Sequence, residues 1–251
     1  DIRGPADVRR LSQQLEWLRL RLTELDADKA RFLRHVSHEL KTPLAALREG
    51  VSLLEDGVTG PLNPAQLEVA QILIQNSVSL QGQIEALLRF NAAAFEAREL
   101  RRERTDLLPL VEEQIEAQRL QWQAHGLRVH AEGESITLPV DRAKLGTAVA
   151  NLLSNAIRYS ARGGVISIAV SGTPTTACID INDAGPGIAE GDRDRIFEPF
   201  YRGERQPEHA VKGTGIGLSI VQEYIAAHGG RITLLPEGPG ARFRIELPRT
   251  A

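Results

Sequence analysis

Phe32-Leu33-Arg34-His35-Val36-Ser37-His38-Glu39-Leu40-Lys41-Thr42-Pro43-Leu44 decides how the first part of this chain folds. Toward the N-terminus, apolar residues recur at Val8, Leu11, Leu15, Leu18, Leu22, Leu25, Phe32 and Val36, with Lys29 in one seam position. The steps alternate between three and four residues, the heptad pattern of a helix–helix seam. From Phe32 the steps fall at 32, 36, 40 and 44 before the alternation resumes at Leu47, Val51 and Leu54. An extra four-residue step is a stutter, which locally unwinds a coiled coil. Pro43 cannot donate to the carbonyl of Glu39. The stretch therefore predicts a long helix that can bend beside His38. His38 lies two residues, about 200° of helical rotation, from both Val36 and Leu40, so its ring is expected to point away from the seam. A neutral imidazole with a free pKa of about 6.5 is a ready nucleophile near pH 7. Glu39 can orient that ring or accept its proton, and Thr42 offers a hydroxyl on the same face one turn on. His35 and His125 lack such neighbours and read as surface residues.

Beyond this helix, Asp56-Gly57-Val58-Thr59-Gly60-Pro61-Leu62-Asn63-Pro64 is a turn. Asn63 reads as an N-cap with Pro64 in the first helical position. The second helix carries Leu67, Leu73, Ile74, Leu80, Ile84, Leu87 and Leu88 on a broad apolar face and should run to about Leu100. Two long helices joined by a short turn make an antiparallel hairpin. One hairpin cannot bury both apolar faces, whereas two hairpins can do so as a four-helix bundle, so a homodimer is expected.

Arg101-Arg102-Glu103-Arg104-Thr105 is a charged break that reads as a linker. A helix is expected from about Leu107 to Ala124, with strands at Leu127–His130, Ile136–Val140, Val165–Val170 and Ala177–Ile181. A last hairpin, Ile232–Leu235 with Phe243–Leu247, turns at Pro236-Glu237-Gly238-Pro239-Gly240. This order suggests an α+β sandwich. Three patches stand out within it. In Asn151-Leu152-Leu153-Ser154-Asn155-Ala156-Ile157-Arg158-Tyr159-Ser160, Asn151 and Asn155 share a helix face. Both can offer amide oxygens to Mg²⁺, and Arg158 adds charge nearby. In Asp183-Ala184-Gly185-Pro186-Gly187-Ile188, Asp183 can accept from an exocyclic amine such as that of adenine, and the glycines admit close approach of the backbone to a ligand. In Gly213-Thr214-Gly215-Ile216-Gly217-Leu218-Ser219-Ile220-Val221, a glycine-rich loop enters a helix whose free N–H groups can bind phosphate. Taken singly, the first patch also fits a polar helix face, the second an ordinary turn and the third a plain helix start.

The run Ser37-His38-Glu39-Leu40-Lys41-Thr42-Pro43-Leu44 resembles the H-box of sensor histidine kinases. In their order and spacing, the three later patches resemble the N, G1 and G2 boxes of the ATP-binding domain that those kinases share with gyrase-type topoisomerases and Hsp90-type chaperones. Phe197-Glu198-Pro199-Phe200-Tyr201-Arg202 resembles the kinases' F-box. The resemblance spans roughly residues 30 to 248. It implies a dimeric helical hairpin joined to a two-layer α+β ATP-binding domain, with ATP and Mg²⁺ as cofactors. It implies that His38 is phosphorylated with Glu39 as base or orienter, and that the phosphoryl group passes to the aspartate of a response-regulator receiver domain. It further implies a reverse phosphatase activity in which Thr42 positions water. Asn155 would hold Mg²⁺ with Asn151 assisting, and Arg158 and Tyr159 would flank phosphate and nucleoside. Asp183 would bind the adenine amine and Gly185 and Gly187 would shape the pocket. Residues from Ile188 to Lys212 would form a lid, with Arg202 and Lys212 as phosphate contacts. Gly213, Thr214, Gly215, Gly217 and Leu218 would close over the triphosphate. In the ATPase relatives a glutamate that activates water occupies the position of Asn151, so the asparagine disfavours a gyrase-type or chaperone-like ATPase. A dimeric scaffold without catalysis is the other alternative.

The expected domains are a signalling coiled coil over residues 1–30, a dimerisation and phosphoacceptor hairpin over 31–102, and an ATP-binding domain over 105–249. Composition narrows the function further. A net charge of −3, a pI near 6.1 and 4% aromatic residues leave no basic or stacking footprint for nucleic acid. A single cysteine, Cys178, excludes an internal disulfide. No apolar run reaches the 18 or more residues of a membrane span. The chain has no initiating methionine and reads as a piece of a longer protein. By resemblance, Gly4-Pro5-Ala6-Asp7 and the heptads following it would end a HAMP-type module. Absent N-terminal segments would then tether the protein to the bacterial inner membrane, with this portion on the cytoplasmic face.

Overall fold

A computed structural model describes residues 6–58, 60–205, 213–236 and 240–249. Some side chains of the first helix, those of Ser37 and His38 included, lie outside the described set, and so does the expectation about which way the His38 ring points. The chain divides into two compact units, Asp1–Phe95 and Glu96–Ala251.

The first unit is the expected helical hairpin. Helix α1 spans Ala6–Glu55 and continues through Pro43. Its end is set by Gly57, whose φ of 72° places it in the left-handed region. The Val58 N–H donates to the Leu53 carbonyl and the Gly57 N–H to the Leu54 carbonyl, a Schellman closure that satisfies the last carbonyls of the helix. Helix α2, Pro64–Glu96, opens with a reciprocal cap: the Gln66 N–H donates to Asn63 Oδ1, and the Asn63 N–H to Gln66 Oε1. It ends four residues short of the expected Leu100, and Glu96 to Arg102 belongs to the second unit. Leu15, Leu18, Leu25, Phe32, Leu40, Leu47 and Leu54 on α1 are exposed, as are Leu67, Leu73, Leu80 and Leu87 on α2. Among the described residues, no helix is long and apolar enough to cross a membrane.

The second unit is a two-layer sandwich. Five strands lie in the order β2-β4-β5-β7-β6. They are β2 (Arg128–Gly133), β4 (Val165–Gly172), β5 (Thr176–Asn182), β6 (Arg231–Leu234) and β7 (Arg242–Pro248). The β2–β4 pair is parallel and the others antiparallel. Alternation along β4, β5 and β7 turns Ile166, Ile168, Val170, Ile179, Ile181, Phe243, Ile245 and Leu247 to one face. Helices α3 (Leu107–Ala117), α5 (Arg142–Tyr159) and α6 (Gly217–Ala227) cover that face through Leu110, Val111, Leu145, Leu152, Leu153, Val221 and Ile225.

Two local expectations are corrected. Glu103–Thr105, read as part of a linker, lies in a strand, β1 (Glu103–Asp106), paired antiparallel with β3 (Thr137–Val140). Its charged side chains hid a pairing in which Thr105 alone is buried. The helix expected from Leu107 to Ala124 breaks at Gln118, leaving a short α4, Arg119–Ala124. There the Trp122 indole donates to the Ile115 carbonyl at the end of α3, and the Gln118 side-chain amide ties the break to α5 by donating to the Ala150 carbonyl.

Candidate functional site

Within the hairpin, His38 lies on α1, and Glu39 and Thr42 are exposed on the same helix. Lys41 reaches within 3.8 Å of Glu85 on α2, a contact between exposed side chains of small energetic weight.

In the sandwich, helix α5 carries the first group of candidate residues. Asp141 caps it, accepting from the Lys144 N–H, and the helix runs 18 residues to Tyr159. Asn151 and Asn155 are half-buried on its open face. A Cβ placed on Gly217 would lie 3.7 Å from Asn151 Oδ1 and 3.8 Å from Asn155 Nδ2. Both amides therefore face the first residue of α6. Arg158, a turn further on, lies against Gly213, where a Cβ would fall 1.9 Å from its Nη1. The first and third patches of the sequence thus meet, and glycine at 213 is what admits the guanidinium.

The start of α6 suits an anion. Its N-cap, Ile216, has no side-chain capping bond, so the first N–H groups stay available. Gly215 has a φ of 74° and turns the loop into the helix. Thr214 is half-buried beside it, and Leu218 packs on the core.

Asp183 opens the second patch. It follows β5 and is 9% exposed. Its Oδ1 accepts from the Gly185 and Ala241 N–H groups, both at 2.9 Å. Among the described residues Oδ2 has no hydrogen-bond partner. Burial pushes this carboxyl above the ordinary range, against the pull of the two N–H donors. A Cβ on Gly185 would lie 2.6 Å from the Tyr159 carbonyl oxygen, so this glycine lets the second patch close on the end of α5. Gly187 has a φ of 69° and approaches the Gly240 carbonyl. Ile188 packs against the core. Arg202 is exposed on the following loop, and Lys212 lies outside the described residues.

Sequence reasoning missed several members of this site. A Cβ on Gly240 would fall 2.0 Å from the Asp183 carbonyl oxygen, so only glycine fits there. The β5–β7 register, pairing Asn182 with Arg242, carries Gly240 and Ala241 to Asp183 across 58 residues of chain. The Ser160 hydroxyl accepts from the Ala184 N–H, and Arg205 Nη1 donates to the Pro186 carbonyl at 2.6 Å. Spacing alone gave no sign of any of these contacts.

Paired amides on α5 that face an uncapped helix start, with an anchored carboxylate whose loop closes on the end of α5, fit a nucleotide-binding domain. Comparison with known proteins agrees. Residues 140–251 match the family described as "Histidine kinase-, DNA gyrase B-, and HSP90-like ATPase", and residues 28–94 match the "His Kinase A (phospho-acceptor) domain". The sensor histidine kinase GlrK of Escherichia coli (strain K12) is 41% identical over 247 residues, covering 98% of this chain and 52% of that protein. The crystal structure of full-length ShkA in complex with AMPPNP superposes with a TM-score of 0.63 at 26% identity, over 88% of this chain and 46% of that one. The histidine kinase AdeS of Acinetobacter baumannii gives 0.60 at 25% identity, over 85% of this chain and 98% of that one. This chain belongs to the sensor histidine kinase family. It spans about half the length of the curated relatives it matches.

Proposed function

We propose that this chain phosphorylates its own His38 from ATP and then passes the phosphoryl group to an aspartate on a response-regulator receiver domain. The observation that supports the reading is that Asn151 and Asn155 face Gly217 and Arg158 lies against Gly213 around the uncapped start of α6, while the Asp183 loop closes on the end of α5, in a chain that also bears the His38-Glu39 pair. Asp183 Oδ2 accepts from the adenine amine, Arg158 and Tyr159 flank the phosphates and nucleoside, and the N–H groups from Gly213 to Leu218 receive phosphate oxygens. Arg202 and Lys212 add lid charges. ShkA, a relative in fold, was crystallised with the adenine nucleotide AMPPNP, which supports an adenine ligand here.

The amide oxygens of Asn155 and Asn151 suit Mg²⁺, which takes oxygen ligands and keeps waters and phosphates. Bound there, the ion would neutralise charge on the phosphates. The protein's own part is positioning and electrostatics, which dominate phosphoryl transfer. His38 supplies a nitrogen lone pair, and Glu39 orients the ring or takes its proton. Asn151 cannot act as a base, so nothing at that position activates water, which favours transfer to imidazole over hydrolysis. In the reverse direction Thr42 positions a water against the regulator's aspartyl phosphate.

The exposed leucines of α1 and α2 favour a homodimer in which two hairpins form a four-helix bundle. We assign residues 1–30 to a signal-transmitting coiled coil, 31–102 to dimerisation and phosphotransfer, and 105–249 to ATP binding. In the full-length protein this portion sits on the cytoplasmic side of the membrane. The test is transfer of label from ATP through the chain to purified receiver domains, with and without EDTA. Rapid, Mg²⁺-dependent labelling of one receiver is expected. ATP hydrolysis with no labelled protein would overturn the reading.

A further inference from the structure

Asp192 ends the 3₁₀ turn Glu190–Asp192, within the stretch expected to form the lid but given no role by any of the boxes read from the sequence. It is only 4% exposed, and both of its oxygens are engaged by the far end of the loop that follows. Oδ1 accepts from the Tyr201 hydroxyl at 2.6 Å, and Oδ2 accepts from the Glu204 N–H at 2.9 Å. The Arg195 guanidinium stacks 4.2 Å from the centroid of the Tyr201 ring, a cation–π contact on the same side chain. A Cβ on Gly203 would lie 2.6 Å from Asp192 Oδ2, so the chain can close over the carboxylate because residue 203 is glycine.

This clasp is joined to the phosphate loop. The Phe200 N–H donates to the Gly215 carbonyl at 2.9 Å. Phe200 has a φ of 66°, an unfavourable conformation for a bulky residue, which persists where its surroundings fix it. A Cβ on Gly215 would meet the Phe200 carbonyl carbon and the Tyr201 backbone carbonyl oxygen, each at 2.8 Å. Arg202 lies between Tyr201 and Glu204, the two residues that Asp192 holds.

We propose that Asp192 is a positioning residue for the nucleotide site. Through Tyr201 and Glu204 it holds the Phe200–Arg202 backbone against Gly215, and so sets the loop that receives the phosphates. Asp192 itself touches no substrate. The inference rests on the reading of that loop as the ATP phosphate site.

The test compares Asp192→Ala, Tyr201→Phe and the double variant with the parent 251-residue chain. KM for ATP and kcat of autophosphorylation are measured, together with thermal melting. Tyr201→Phe keeps the ring and its Arg195 contact and removes only the hydroxyl. Loss of a charge-assisted hydrogen bond corresponds to about a tenfold change, so KM should rise about tenfold in Tyr201→Phe. Because the two residues act through one bond, the double variant should be no worse than Asp192→Ala. The kcat at saturating ATP should stay within about twofold of the parent, the pattern of a residue that acts on binding. An unchanged KM in Tyr201→Phe would overturn the inference. So would KM and kcat worsening together in step with a lower melting temperature, which marks a purely structural role. If the parent chain neither binds ATP nor becomes labelled, the nucleotide reading itself fails, whereas a labelled parent with indistinguishable variants sinks the inference alone.

Discussion

Asp183 has one oxygen tied to two backbone N–H groups, while the other makes no hydrogen bond among the described residues. Asp183→Asn keeps the shape but can set an amide N–H₂ against the adenine amine, so ATP affinity should drop at least about tenfold. Calorimetric titration of ATP into the variant checks this, and parent-like affinity would show that the carboxylate does not read the base. His228 is 2% exposed; its Nε2 accepts from the Asp141 N–H at 2.9 Å, and its Nδ1 lies 2.7 Å from the Tyr224 carbonyl. The neutral ring suits both contacts, and burial holds its pKa below the ordinary 6.5. The unfolded chain therefore takes up this proton first. The contribution is complete above about pH 6.5 and is lost as pH falls from there toward the depressed folded value. Thermal melts between pH 7.5 and 5 should show a decline that His228→Gln reduces, and parallel curves for the two proteins would contradict it.

Elements bring these residues together, and there the sequence was unevenly legible. Helix α5 could be read because Asn151, Asn155 and Arg158 repeat at helical spacing, and α6 because a glycine run precedes an apolar stripe. The hairpin turn was legible too, since Asn63 and Pro64 carry its cap in local chemistry. Asn63→Ala should cost about 1 kcal/mol through the lost cap, read as a lower melting temperature of the helical signal; an unchanged melt would show that the cap carries no stability. By contrast, Gly240 reaches Asp183 through sheet register and Asp192 reaches Tyr201 through a loop fold, neither of which leaves a periodic trace. Strand β1 was hidden for a similar reason, because three of its four residues are polar and unburied. Gly215→Ala tests the loop directly: a φ of 74° and backbone atoms 2.8 Å from the new Cβ should weaken ATP binding while leaving the sandwich folded by circular dichroism. Unaltered ATP affinity would show that the loop tolerates a side chain there.

At the scale of the molecule, a hairpin that leaves Leu18, Leu25, Phe32, Leu47, Leu73 and Leu80 exposed calls for a second copy to bury them. Sedimentation should give about twice the 27.5 kDa chain mass, and Leu47→Glu should shift the population toward monomer. A monomeric parent would remove the argument for a bundle. Whether one chain joins an ATP site to an acceptor histidine is decided by labelling. The chain and its His38→Ala variant are incubated with γ-labelled ATP and Mg²⁺. Label is expected on the parent protein that is lost in acid, stable in alkali and absent from the variant. Label of equal strength on His38→Ala, or none on a parent that still binds ATP, would contradict transfer to His38.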